Sequence, residues 1–145
     1  METFIAAHNR LSSSIPGSIS RLSELQILDL SHNTLSGLVP HELSSLAQMQ
    51  ELRLEHNHLQ GGFPDFLGSM TPLEVVRLNN NLFNGEVGLS LDVGDLNDLT
   101  EFSIENNDLR GAVGEFICDL LLDVLTADCW GSPPMVDCPC CTECY

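Results

Sequence analysis

Five asparagines, Asn9, Asn33, Asn57, Asn81 and Asn107, recur at intervals of 24, 24, 24 and 26 residues. A period of that size means stacked units, because no unit of two dozen residues can bury an apolar face alone. The frame around each asparagine repeats as well: FIAAHN ends at Asn9, LDLSHN at Asn33, LRLEHN at Asn57, VRLNNN at Asn81 and FSIENN at Asn107. Alternation of apolar and polar residues ahead of the asparagine predicts a short strand with one face buried. Stacking such strands at about 4.8 Å gives a parallel sheet. An asparagine at the end of the strand carries both donors and an acceptor, so buried copies can satisfy backbone groups of adjacent turns.

The frame continues as Leu35-Ser-Gly37 and Leu59-Gln-Gly61, and in the first three repeats an apolar residue and a proline follow, at Ile15-Pro16, Val39-Pro40 and Phe63-Pro64. Proline fixes an extended exit from the turn. The last two repeats carry Val87-Gly88 and Val113-Gly114 instead, and the fourth has two extra residues within 89–95, where a bulge away from the sheet is expected.

The full frame, LxxLxLxxNxLxGx(I/V)P, resembles the leucine-rich repeats of plant-type extracellular receptors and inhibitors. The resemblance implies a right-handed solenoid with a parallel concave sheet. Residues 1–117 are expected to form five repeats, with strands near Phe4, Leu28, Leu52, Val76 and Phe102 and inward asparagines. The first strand begins almost at Met1, so further repeats are expected to precede it. Residues 118–145 are expected to form a separate closing cap, which is similar to the cysteine-rich endings of secreted diatom-type repeat proteins.

That segment holds Cys118, Cys129, Cys138, Cys140, Cys141 and Cys144. Six cysteines allow 15 pairings; three disulfides are expected, none joining the neighbours Cys140 and Cys141. Trp130 lies among them and is expected to be buried. The competing use of these thiols is a metal site, and His8, His32 and His56, each just before a ladder asparagine, could form a second. No resident cofactor is expected.

Charge narrows the function. Asp plus Glu number 21 against five arginines, no lysine is present, and the net charge is −16. This excludes lysine-based phosphate anchors and Schiff bases, and it repels nucleic acid. No apolar run reaches the roughly 20 residues of a membrane span. The carboxylate pairs Glu51/Glu55 and Glu101/Glu105 would lie on an open face where nothing excludes water, so no enzyme is expected.

Binding is the expected activity. The outward strand positions hold Asp29, Glu51, Arg53, Glu55, Arg77, Asn79, Glu101, Ser103 and Glu105, a mixed-charge array expected to be exposed and to face a protein, peptide or wall polysaccharide. The family resemblance and the cysteines together point to a secreted or cell-surface setting, as a receptor ectodomain or as an inhibitor similar to plant polygalacturonase inhibitors.

Overall fold

In the computed structural model, which describes residues 1–87, 96–131 and 134–145, the chain coils into a solenoid with a parallel sheet on each of two sides. The concave sheet contains Thr3–Ile5, Ile27–Asp29, Glu51–Arg53, Val75–Arg77 and Glu101–Ser103, side by side in chain order. Leu28, Leu52, Val76 and Phe102 occupy one register column and point inward, between 0% and 3% exposed. Each strand is short because the chain must leave the sheet within the same turn.

The turn off each strand uses a device absent from the apolar pattern. His8, His32, His56, Asn80 and Asn106 all have φ between 52° and 56°. This is the left-handed region, which asparagine and histidine enter more readily than most other side chains. It places the next residue, the ladder asparagine, under the strand. Asn57 Nδ2 donates to the carbonyls of Leu30, Leu54 and Glu55, and its Oδ1 accepts from the Leu35 amide at 3.0 Å. Asn33, Asn81 and Asn107 repeat this arrangement. Asn9, on the first rung, is exposed and bonds only within its own coil.

Beyond each asparagine the chain forms a second ladder, which the repeat frame alone does not announce. Ser12–Ser13, Thr34–Gly37, His58–Gly61, Leu82–Glu86, Asp108–Ala112 and Val136–Asp137 pair in parallel. Leu35, Leu59, Phe83 and Leu109 drop from it into the core. The recurring glycines close these strands with φ from 79° to 98° at Gly37, Gly61, Gly85 and Gly111, where a side chain would be strained.

Pro16, Pro40 and Pro64 then start short 3-10 helices, Gly17–Arg21, His41–Ser45 and Asp65–Ser69, with φ between −75° and −69°. Gly114 reaches a similar φ of −64° without the ring, and an α-helix, Glu115–Asp119, follows. The extra residues of the fourth repeat lie outside the described residues, but the concave register holds across them, with Val75 opposite Glu101.

The concave sheet does not stop at the fifth repeat. Val124–Ala127 pairs with Glu101–Ser103, and Glu143–Cys144 pairs with Thr126 and Ala127, so the described sheet has seven strands where five were expected. The proposed boundary after residue 117 falls inside the helix Glu115–Asp119. Asp128 ends the ladder: its carboxylate accepts from the Asn106 and Asn107 amides, whose counterparts in earlier coils bond to backbone carbonyls. Disulfides Cys118–Cys140, Cys129–Cys144 and Cys138–Cys141 fasten this segment. At the opposite end, Phe4, Ile19 and Leu22 are half-buried around an apolar cleft of about 430 Å³.

Candidate functional site: a groove on the concave sheet

Side chains on the outward face of the strands owe their direction to the period-two alternation, which sends their neighbours into the core. Their exposure differs from expectation. Ser31, Glu55, Ser103 and Glu105 are between 4% and 8% exposed. The expected open array is therefore a partly covered one, and it divides in two.

Toward the first repeats, Asp29 accepts from the Ser31 amide and hydroxyl, at 3.0 and 2.7 Å. Arg53 lies beside Asp29 in register, but its ion pair goes to Glu51 on its own strand, at 2.7 Å. Toward the closing segment, Arg77 bonds Glu101 through two parallel contacts of 2.7 and 2.9 Å and approaches Glu55 at 3.7 Å. Charge-assisted forks of this kind are strong and directional, and the Glu101 bond holds the Arg77 pKa above its usual value. Glu105 accepts a hydrogen bond from the Thr126 hydroxyl.

These second-group residues share a groove of about 450 Å³. Glu55, Arg77, Asn79, Glu101, Ser103 and Glu105 line it, with His32 and His56 along one side. Asp29, Glu51 and Arg53 are not part of it. The far wall comes from residues that the sequence reading missed: Asp123, Thr126, Glu143 and Tyr145. A signal was present, since Leu125-Thr-Ala127 continues the strand alternation into the cysteine segment.

Among the described residues, three buried atoms on this face have no hydrogen-bond partner: Arg53 Nε, Glu55 Oε2 and Asn79 Oδ1. Burial raises the Glu55 pKa above its ordinary value, against the opposing pull of a backbone hydrogen bond and Arg77. A carboxylate short of partners resists ionisation.

The histidines stack as expected from their frame position. Ring centroids of His8, His32 and His56 follow one another at 4.2 Å, with planes 11° and 17° apart. Loss of water and then the neighbours His56 and His8 lower the His32 pKa. Rings laid face to face aim their nitrogens in parallel rather than at one centre, which is poor geometry for shared metal ligation. Among the described residues no group of three or more His, Cys, Asp or Glu could hold a metal ion, and all six cysteine sulfurs are in disulfides. Trp130, expected inside, is 74% exposed. Its amide donates to the Tyr145 carbonyl, so the backbone is fixed and the indole left outside. The cap is held by disulfides and strand pairing rather than by a buried aromatic.

The Leucine rich repeat family model matches residues 3–59. Among solved structures, the plant peptide hormone receptor RGFR1 in complex with RGF2 is 32% identical with a TM-score of 0.76, over 82% of this chain and 19% of that one. The Arabidopsis receptor kinase HAESA, in complex with the peptide hormone IDA and the co-receptor SERK1, is 27% identical with a TM-score of 0.81, over 86% and 21%. Pollen Receptor Kinase 3 is 29% identical with a TM-score of 0.74, over 82% and 56%. The chain thus spans about a fifth of the first two receptors. No curated protein matches it.

Proposed function

Since the chain is a leucine-rich-repeat protein similar to plant receptor-kinase ectodomains, we propose that it is a non-enzymatic recognition module at the cell surface or outside the cell, binding a peptide or protein partner through its concave sheet. The observation that carries this reading is the groove. It gathers polar residues from successive coils at positions the fold does not need for its core, and leaves buried polar atoms of that face unpaired. Such atoms favour a partner that completes their hydrogen bonds. The similar receptors bound to peptide hormones agree with a peptide ligand. A wall polysaccharide is the second ligand class. No described helix is long and apolar enough to cross a membrane.

A display selection of random peptides, run beside wall oligosaccharides on the disulfide-intact chain, tests this reading. Any binder recovered is expected to change affinity at least tenfold, about 1.4 kcal/mol, in Arg53→Ser/Arg77→Ser. Glu42→Arg/Gln48→Ala, at exposed sites between the sheets, is expected to leave affinity nearly unchanged. The reverse order moves the functional surface off the concave sheet.

A further inference from the structure

We infer that the groove seats a basic side chain, the guanidinium of an arginine on the peptide partner, between Glu55 and Asn79; this rests on the concave-face reading above. Glu55 is 8% exposed, yet its Oε2 has no hydrogen-bond partner, and the same is true of Asn79 Oδ1. Both residues line the groove. They are register neighbours on adjacent coils, two residues past the ends of their strands, as the bond from the His56 amide to the Asn79 carbonyl shows, so the two acceptors come from positions about 4.8 Å apart.

A donor completes such a pair, and the neighbouring arginines do not supply it. Arg53 Nε is the one unpartnered donor among the three orphan atoms, and a single N–H cannot serve acceptors on two coils. Arg77 is committed to Glu101. It also shows what this surface does with a guanidinium: from one coil it reaches carboxylates on the coil before and the coil after, at 3.7 and 2.7 Å. A second planar fork, with its several fixed donors, suits the remaining acceptors better than a single ammonium.

Charge agrees. Glu55, Glu101, Glu105, Asp123 and Glu143 line the groove against Arg77 as its one arginine. These carboxylates are spread along the groove instead of converging, and no described set of three ligands could hold a metal ion, so an extended organic cation fits where a metal does not. Tyr145 at the rim is half exposed and hydrogen-bonded to Glu143 at 2.8 Å, which offers a ring face to the arriving cation.

The probe is the peptide acetyl-Ser-Gly-Arg-Gly-Ser-amide, titrated by NMR into the isotopically labelled, disulfide-intact chain beside its citrulline analogue, which keeps the shape and removes the charge. Saturable shifts are expected at the amides of Asn79, Ser103 and Thr126. Binding is expected to weaken at least tenfold with citrulline and at least fivefold in Glu55→Gln, and less than twofold in Glu42→Gln on the far side. Equal losses in the two variants would reduce the effect to the general attraction of an acidic chain and overturn the proposal, as would the absence of saturable binding. If citrulline binds as well and shifts the same amides, the cation seat fails while concave peptide recognition stands. If shifts map only away from the concave sheet, both fail.

Discussion

Asn57 makes four hydrogen bonds to backbone groups of two coils while 7% exposed, whereas Asn9 makes two within one coil and is exposed. Removing the first strands the buried Leu35 amide, at about 1–3 kcal/mol, and takes one of two donors from each of the Leu30, Leu54 and Glu55 carbonyls, which keep Asn33, Asn81 and the His32 amide. We therefore expect Asn57→Ala to lower unfolding free energy by about 3 kcal/mol and Asn9→Ala by less than about 1 kcal/mol, measured by denaturant unfolding. Equal costs would mean that the asparagines act through local turn preference alone. Glu55 gives a pH-dependent case. Its folded pKa is raised above the ordinary 4.5, so the fold disfavours the ionised form. That penalty is absent below 4.5 and complete above the folded pKa. Neutral glutamine escapes it, and its amide can donate where Asn79 lacks a partner. Arg77 keeps Glu101, while Arg53 and Asp29, the other charges acting on the site, are unaltered. Glu55→Gln is expected to gain about 1 kcal/mol at pH 7 and nothing near pH 4; a constant gain would exclude ionisation as its cause.

The strand-forming segments were the most legible elements. An apolar alternation repeated five times fixes which residues point inward, because a slip of one residue would turn every leucine outward. The second sheet was not legible: Thr34–Gly37 and His58–Gly61 carry one buried leucine each, too little alternation to distinguish a strand from an extended exit. The far wall of the groove was missed for a related reason. Cysteine spacing drew residues 118–145 apart as a cap, yet Val124–Ala127 and Glu143–Cys144 are strands of the same sheet. The last strand has only two residues, held by Thr142 on Leu125 and by the Cys129–Cys144 disulfide. That disulfide closes a separation of 15 residues, for which chain entropy gives about 3 kcal/mol. Cys129→Ala/Cys144→Ala is expected to lose about 2–4 kcal/mol and to raise hydrogen exchange at Tyr145, whose amide bonds Ala127. Protection unchanged at Tyr145 would show that strand pairing alone suffices.

At the scale of the whole molecule, the two sheets place Thr3–Ile5 at one end of the concave ladder and Glu143–Cys144 at the other, so the chain's ends lie at opposite ends of the stack. Each junction among the five repeats is held by a short ladder in either sheet and by one asparagine, and the junction to the closing segment by Asp128. Tension applied between the ends therefore loads the junctions in series, and the weakest yields while the rest hold. One released coil of 24 residues pays out about 80 Å of chain at roughly 3.4 Å per residue. In an optical trap the extension is expected to grow as a staircase with that step. The stretch crosslinked by Cys118–Cys140 stays silent until a reductant is added and then lengthens the trace. A single rupture of the full length would instead reveal a molecule that breaks as one body. A staircase would make this solenoid an extensible tether, able to yield coil by coil under load.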